Sequence, residues 1–381
     1  MTGSLYVHIP FCRCRCDYCD FYSTVLSDGE VVRRTVDVLK QQMVYIADRW
    51  SPRLRSVYFG GGTPSLLPYA LLEELTGTVT DRFALTADCE ITVEANPETV
   101  TVDFLRFLRS TPVNRLSLGI QSFDDDVLRL LGRNGDRRTA LEAADRVASD
   151  GPARWSLDFI GEIPGVPDAV LEKDIAEAVR FRPPHLSLYA LSVADDSVLG
   201  KRLNGKEVSS TVENGFKLAE TYGYDRYEIS NCAFPGEESR HNTAYWEMNA
   251  FWGCGPSASG TFRDNNGAVC RWEGMTPLSA YLNARSVEET WRKETVSPRD
   301  FAFENVMMGC RMKRGIELAG FEAKTGFLLR EMAPKTVEKA LNERLFGIEN
   351  GRFFPLSDGF RYLNRFLVDF LLEFDKQYPM E

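Results

Sequence analysis

The chain has 381 residues, of which 44% are hydrophobic and 26% are charged, as in an ordinary soluble globular protein. Its net charge of −10 argues against broad electrostatic binding to nucleic acid or to anionic lipid. No apolar run approaches the roughly 18 residues of a membrane span, and the first residues lack the pattern of a signal peptide. We therefore expect a cytoplasmic protein without a transmembrane segment that does not bind nucleic acid.

Short apolar runs rich in β-forming residues alternate with helical patterns through the first half of the chain. The predicted strands are 4–9, 56–60, 90–95, 115–120, 154–160 and 185–191. The predicted helices between them are 30–47, 69–79, 101–110, 124–133, 138–149 and 169–180. This alternation predicts an α/β fold with a parallel sheet, open or closed into a barrel. Functional side chains are then expected beyond the carboxyl ends of the strands.

The alternation weakens after about residue 195. Residues 223–246 are rich in aromatic and turn-forming residues, which predicts a structured loop. The pattern changes again near residue 299. We therefore place one domain at 1–295, in which about 195–295 is an extension, and a second domain at 299–378.

The second domain combines helical segments with one short hairpin. The predicted helices are 300–312, 335–345 and 364–374. The hairpin is predicted to turn at Asp358–Gly359. Helices with a small hairpin indicate a compact, mainly helical, winged-helix-like domain.

Four of the nine cysteines lie in the stretch FCRCRCDYCDFYS, residues 11–23. An odd number of cysteines clustered at one end does not resemble a disulfide framework, and in a reducing compartment such a cluster is more often metal-binding or catalytic. Cys12, Cys16 and Cys19 have the spacing C-x3-C-x2-C, which can direct three thiolates at one iron–sulfur cluster. A zinc site with Cys14 as fourth ligand is one alternative, and incidental cysteines are the other.

Polar or glycine-rich stretches follow the later strands. The motif GGGTP at 60–64 permits close backbone approach, and its exposed amides are expected to bind the amino-acid end of a ligand. The alternative for this motif is a plain tight turn.

Four polar residues, Glu94, Gln121, Arg133 and Asp158, lie at or soon after strand ends. Arg133 can hold a carboxylate through a two-pronged contact, and Glu94 or Asp158 can accept from hydroxyl or ammonium groups. The alternative is that each of the four caps a helix or joins a surface pair.

The C-x3-C-x2-C spacing, with aromatic Tyr18 before the last cysteine, resembles the signature of radical S-adenosylmethionine (SAM) enzymes. The match extends from residue 5 to about 375 through LYVHIPFC, YFGGGTPSLL, VEANPE, RLSLGIQSFDDDVLRLLGR, SLDFIGEIPG, SLYALS, YEISN, ESRHNTAYW and GCGPSA. In this order the motifs resemble those of the coproporphyrinogen dehydrogenase–HemW family. The implied fold is a partial radical-SAM (β/α)6 TIM-like barrel with a winged-helix-like C-terminal domain.

The resemblance also implies cofactors and the residues that hold them. Cys12, Cys16 and Cys19 would hold a 4Fe-4S cluster, whose open iron is chelated in this superfamily by the amino and carboxylate groups of SAM. In the family, GGGTP binds the SAM amino group and the matching strand-end positions line the SAM pocket. The implied SAM-binding residues are Tyr6, Tyr18, Gly61, Gly62, Thr63, Glu94, Gln121, Arg133, Asp158 and the backbone near Ala190.

The stretch ESRHNTAYW, 238–246, contains one of only three histidines. A histidine can ligate haem iron, and aromatic side chains can stack on a porphyrin. The pattern HNxxYW is associated with HemW-type proteins and haem handling, which implies that His241 binds haem. The alternative is a histidine satisfied within a packed loop.

Two functions compete under this resemblance. One is the oxygen-independent oxidative decarboxylation of coproporphyrinogen III; the other is a carrier that binds haem and delivers it to haem-accepting proteins. Phe21 stands where the dehydrogenase pattern has a further cysteine, HNxxYW is intact, and no long segment precedes the first strand. These features favour the haem carrier, with a tetrapyrrole as its cargo.

Two stretches of the sequence depart from the family pattern. Gly135 stands where the family usually has histidine, and Gly161–Glu162 stand where it usually has Tyr–Gly, both expected near the pocket mouth. These departures leave the ligand preference open. A third function, ring opening of haem, fits less well because those relatives have glycine at the position of Asp20.

Overall fold

The computed structural model describes residues 1–379 except 27, 194–197, 205, 207–210, 265 and 357. The start of the extension, predicted at about 195, lies outside the described residues. The strands are β1 (Thr2–Ile9), β2 (Phe11–Cys12), β3 (Thr24–Val25), β4 (Arg53–Gly61), β5 (Ala84–Ala95), β6 (Arg115–Gln121), β7 (Arg154–Gly161), β8 (His185–Ala190), β9 (Asp225–Glu228), β10 (Asn231–Ala233), β11 (Phe251–Cys254), β12 (Ser259–Arg263), β13 (Val269–Gly274), β14 (Trp291–Thr295), β15 (Ile316–Glu317), β16 (Phe346–Glu349) and β17 (Arg352–Pro355).

Helices connect the parallel strands and build the C-terminal part. The α-helices are α1 (Gly29–Trp50), α2 (Tyr69–Arg82), α3 (Val102–Leu108), α4 (Asp125–Leu130), α5 (Arg137–Asp150), α6 (Asp168–Ala178), α7 (Val198–Leu203), α8 (Thr211–Thr221), α9 (Arg240–Trp246), α10 (Leu278–Leu282), α11 (Pro298–Gly309), α12 (Leu318–Thr325), α13 (Leu329–Met332), α14 (Pro334–Asn342) and α15 (Leu363–Gln377). In the part of the chain that the structure describes, no helix is long and apolar enough to cross a bilayer.

Six parallel strands form the barrel, in the order β1-β4-β5-β6-β7-β8. Each is followed by a helical connection, which confirms the predicted α/β fold and its (β/α)6 barrel. The sheet continues past β1 through parallel β11 and antiparallel β12 to β14, and past β8 through antiparallel β10 and β9. Together, the six barrel strands and these six additional strands form one open twelve-stranded sheet.

Side-chain alternation along the strands separates an apolar outer layer from a polar interior. On β1, the buried Leu5, Val7 and Ile9 belong to the main apolar core, whereas Ser4 and Tyr6 make polar contacts. Helix α1 covers this core with residues spaced at helical intervals, among them Val32, Val36, Leu39 and Met43. Burial of each such side chain contributes about 1.5–3 kcal/mol.

The C-terminal helices α11 to α15 pack around a second core with the hairpin β16–β17. The hairpin turns at Asn350–Gly351, whose φ angles of 50° and 74° are those of a type I′ turn. The turn predicted at Asp358–Gly359 is therefore wrong. The prediction missed Asn350–Gly351, the stronger turn sequence, because Arg352–Pro355 was taken as the first strand rather than the second.

The predicted loop at 223–246 contains β9, β10 and α9, so the expectation of a loop is also wrong. Strand β10 pairs antiparallel with β8, and a bridge joins Glu228 to Met312 of the C-terminal part. The amide of Ile229 also donates to the carbonyl of Arg311 over 2.9 Å. These partners are distant in sequence, so local residue preferences did not reveal them.

Candidate functional site

A cavity of about 450 Å³ opens at the carboxyl ends of the barrel strands, within the range of ~300–1,000 Å³ typical of small-molecule sites. The structure brings together nearly all the residues that the sequence singled out, leaving only Tyr6 and His241 outside the lining. The predicted residues that line it are Cys12, Cys16, Tyr18, Cys19, Gly61, Gly62, Thr63, Glu94, Gln121, Arg133, Asp158 and Ala190.

The loop that carries the cysteines docks against the end of α4. The amide of Asp17 donates to the carbonyl of Leu131 over 3.1 Å, and its carboxylate lies 2.7 Å from the Arg202 guanidinium. Gly132, with φ 70°, lies two residues beyond the end of α4, and a Cβ there would come within 3.0 Å of the Asp17 amide nitrogen. This close approach fixes the loop beside Arg133, the next residue.

The three predicted cluster thiols are half-buried beside one another. Burial raises the pKa of Cys12, Cys16 and Cys19, and the Arg133 guanidinium partly offsets this for Cys12 and Cys16. Arg133 Nη1 lies 3.9 Å from the sulfur of Cys16. A cationic neighbour favours the thiolate form, which is the form that binds metal.

The fourth cysteine of the loop has a different environment. Cys14 also lines the cavity, and its sulfur accepts a hydrogen bond from the Asn134 amide over 2.9 Å. Among the described residues, no three His, Cys, Asp or Glu side chains converge as a single metal ion requires. The arrangement does not match a tetrahedral zinc site, whereas a polynuclear cluster spreads its thiolates over several irons.

Close packing, rather than exposed amides, explains the glycines of GGGTP. The amide of Gly61 donates to Glu94 Oε2 over 3.1 Å, and those of Gly62 and Thr63 donate to the carbonyls of Ile9 and Phe11, both over 2.8 Å. The expectation that these amides are free for a ligand is therefore wrong.

Space excludes a side chain at two of these glycines. A Cβ on Gly62 would lie 2.5 Å from the carbonyl oxygen of Phe11, and one on Gly61 would lie 2.6 Å from the His8 ring. Gly61 also has a φ of 114°, which only glycine adopts without strain. Because the amides of the turn are already hydrogen-bonded, the amino group of a ligand at this turn can bind only carbonyl or carboxylate oxygens.

Asn96 links the GGGTP turn to Arg133. Its side-chain nitrogen donates to Thr63 Oγ1 over 3.0 Å, and its oxygen accepts from Arg133 Nη2 over 3.1 Å. Arg133 Nη2 also donates to the carbonyl of Gly119 over 3.0 Å. These contacts hold one edge of the guanidinium and leave Nη1 directed toward the cysteines. The sequence reasoning missed Asn96 although it lies in the quoted VEANPE motif.

Two carboxyl groups form the acidic wall of the cavity. Burial raises the pKa of Glu94 to about 7, although Glu94 accepts hydrogen bonds from the Tyr58 hydroxyl over 2.7 Å and from the Gly61 amide. Burial also raises the pKa of Asp158, which accepts from the hydroxyls of Ser117 over 2.7 Å and Ser156 over 3.2 Å. A cationic ligand group would favour the ionised form of either carboxyl.

Gln121 occupies the end of β6 in a strained backbone conformation. Its φ of 69° lies in the left-handed region, and its side-chain nitrogen lies so near Gly119 that a Cβ there would come within 2.8 Å. The next residues are anchored by Asp174 on α6, which accepts from the Ser122 hydroxyl over 2.6 Å and the Phe123 amide over 2.8 Å. Sequence reasoning gave no signal for this anchor.

Tyr6 and His241 lie in the barrel interior rather than in the cavity wall. His241 is 1% exposed, its two ring nitrogens lie 2.9 Å from Ser56 Oγ and 2.7 Å from the Tyr245 hydroxyl, and its ring stacks on Tyr58. Tyr6 bonds to His8 over 3.0 Å. This geometry favours the alternative of a packed histidine, and it gives His241 no free nitrogen for haem iron.

The departures from the family pattern lie beside the cavity rather than in its lining. A Cβ on Gly135 would come within 2.6 Å of Glu98, a lining residue, so a larger side chain there requires Glu98 to move. Gly161 and Glu162 line a separate small cleft against α6. Glu162 has a φ of 53°, a backbone conformation that favours glycine.

The donor set around the cavity fits a cluster together with a ligand that carries amino and carboxylate groups. Three thiols face the same space as the guanidinium of Arg133 and the carboxyls of Glu94 and Asp158. The guanidinium can bind a carboxylate, and the carboxyls can accept from an ammonium.

Comparison with known proteins relates the chain to one group. The Radical SAM superfamily pattern matches residues 6–181, and the HemN C-terminal domain pattern matches residues 296–360. The heme chaperone HemW of Lactococcus lactis subsp. lactis (strain IL1403) is 30% identical, covering 97% of this chain and 98% of that protein. The heme chaperone HemW of Escherichia coli (strain K12) is 32% identical, with the same two coverages.

A solved structure supports the fold over the whole chain. Coproporphyrinogen III oxidase (HemN) from Escherichia coli superimposes with a TM-score of 0.82 at 20% identity, covering 97% of this chain and 90% of that one. Membership of the radical SAM superfamily implies a 4Fe-4S cluster and SAM as cofactors. The full-length similarity places this chain in the HemW family of radical SAM proteins.

Proposed function

We propose that the protein is a haem chaperone, which binds haem together with a 4Fe-4S cluster and SAM and delivers haem to acceptor proteins. The observation that carries this proposal is the similarity to heme chaperones at 30% and 32% identity over 97% of the chain. The proposed function defines the acceptors only as a class, namely proteins that require haem.

In this proposal Cys12, Cys16 and Cys19 hold the cluster, and Cys14 is not a ligand. Arg133 binds the SAM carboxylate, because Asn96 holds its Nη2 while its Nη1 is directed into the cavity beside Cys16. Glu94 accepts from the SAM amino group or a ribose hydroxyl, since burial disfavours its charge until a positive partner arrives. A bound cluster with SAM supplies one-electron chemistry at this site.

The remaining lining residues complete the proposed SAM pocket. Gln121 and Asp158 contact the nucleoside part, Tyr18 covers the cluster side, and Ala190 contributes its backbone at the end of β8. Tyr6 acts only indirectly, beneath Tyr58.

Coproporphyrinogen III decarboxylation is the second candidate. The observation in its favour is the HemN-like fold, although 20% identity supports the fold alone. Phe21 opposes it, because this side chain occupies the position of the dehydrogenase's further cysteine and is 66% exposed at the cavity. A phenylalanine supplies no thiol to the reaction.

Two assays on one preparation test the proposal. Cluster-reconstituted protein loaded with haem is mixed with an apo-haemoprotein, and haem transfer is followed by the acceptor's absorbance. The same protein is incubated anaerobically with SAM, a strong reductant and coproporphyrinogen III, with tetrapyrroles read by mass spectrometry. We expect transfer without decarboxylation. Many turnovers to the doubly decarboxylated product would overturn the chaperone and support the dehydrogenase.

A further inference from the structure

Two exposed arginines stand at the mouth of the cavity. In the stretch CRCRC, burial alternates, so that Cys12, Cys14 and Cys16 are half-buried while Arg13 and Arg15 are exposed. Both arginines line the cavity, yet neither has a salt-bridge or hydrogen-bond partner among the described residues. Because the protein carries a net charge of −10, two neighbouring arginines that form no salt bridge with any described residue are a distinctive local feature.

An exposed aromatic side chain, Phe21, shares this mouth. Phe21 is 66% exposed and lines the cavity, whereas Tyr189 lies deeper, beside Ser187 and Asp158. Asp20 is the single carboxylate among the exposed lining residues that the structure describes. The rim formed by Arg13, Arg15 and Phe21 thus combines apolar surface with a net positive charge.

Haem has the complementary chemistry. Its macrocycle is flat and apolar, and two propionate carboxylates project from one edge. Arginine binds carboxylates through charge-assisted, two-pronged hydrogen bonds, and aromatic rings pack against flat conjugated surfaces. A haem on the rim leaves the interior, where Glu94 and Arg133 lie, to SAM.

We propose that Arg13 and Arg15 bind the two propionates of haem while Phe21 contacts its macrocycle. This inference rests on the proposed haem-carrier function and assigns the docking site to the cysteine loop rather than to His241. It also predicts that haem binding depends on the propionate charge.

The test compares haem with its dimethyl ester, which lacks the propionate charges. Each porphyrin is titrated into the full-length, cluster-reconstituted protein, and the absorbance change gives Kd. We expect the wild type to bind haem at least about tenfold more tightly than the ester. In R13A/R15A this preference disappears, with binding of the ester unchanged. The matched control R285A/R292A removes the same charge from exposed positions elsewhere and retains the preference.

A second variant keeps the inference testable if R13A/R15A loses its cluster, which is monitored by its visible absorbance. Phe21→Ala should weaken haem and ester equally, by about fivefold, because it removes ring contact and no charge. A preference that survives in R13A/R15A, a wild type that binds both porphyrins equally, or unchanged binding in Phe21→Ala would overturn the docking site. A wild type that binds neither porphyrin would instead overturn the haem-carrier function.

Discussion

The pH dependence of stability offers a direct test of the acidic cavity wall. The pKa of Glu94 is raised by burial from 4.5 to about 7 in the folded protein. Its stabilising neutral form is therefore fully present below pH 4.5, and this stability is lost as the pH rises through 7. One pKa unit corresponds to about 1.4 kcal/mol, so the wild type should lose roughly 2–3 kcal/mol between pH 5 and pH 8 through this group.

Glu94→Gln isolates this contribution because glutamine stays neutral at every pH. Unfolding of the cluster-free, reduced protein by urea is followed by tryptophan fluorescence at several pH values. All six tryptophans lie before residue 296, so the signal reports the barrel rather than the C-terminal domain. The free energy of unfolding of the variant, relative to wild type, should rise by roughly 2–3 kcal/mol from pH 5 to pH 8.

Glu74→Gln is the matched control. The Arg33 guanidinium holds the pKa of Glu74 at about 2, so Glu74 is ionised across this pH range in both folded and unfolded chains. The difference in free energy of unfolding between Glu74→Gln and the wild type should therefore stay constant from pH 5 to pH 8. If the Glu94→Gln difference is equally constant, Glu94 is not protonated near neutral pH and the reasoning about the cavity wall is wrong.

Three further predictions concern the cluster, the histidine and the glycine turn. Cys16→Ala should lose the visible absorbance of the cluster while Cys14→Ala keeps it; loss in the Cys14 variant would refute the ligand assignment. His241→Ala should lower the free energy of unfolding by about 3 kcal/mol, because it leaves a cavity and unpairs two hydroxyls, yet leave haem affinity unchanged. If His241→Ala bound haem about tenfold more weakly than the wild type, His241 would be a haem ligand after all. Gly62→Ala should abolish cluster incorporation through its backbone clash, whereas Gly77→Ala on α2, with open space around it, should raise stability by about 0.5–1 kcal/mol in thermal unfolding; normal incorporation in the Gly62 variant would contradict the close packing.

Local pattern was sufficient for the architecture of the barrel. Short apolar runs rich in β-forming residues, alternating with helical patterns, identified the parallel strands, and parallel strands bring their carboxyl ends to one edge. For that reason the cysteine loop, Glu94, Arg133 and Asp158 were expected together, and they line one cavity. Residue type then limited the chemistry, since three thiols, a guanidinium and two carboxyls suit few ligands.

Tertiary structure decided how the polar groups are used. The amides of the glycine turn bond to β1, β2 and Glu94, and both nitrogens of His241 lie within hydrogen-bonding distance of hydroxyls in the barrel interior. Asn96 bridges Thr63 and Arg133 through hydrogen bonds, and these partners lie 33 and 37 residues away in the sequence. Such partners come from strand register and barrel closure, which no single stretch of sequence contains. The sequence by itself therefore determined which chemical groups reach the site, and the fold determined which of them remain free to bind.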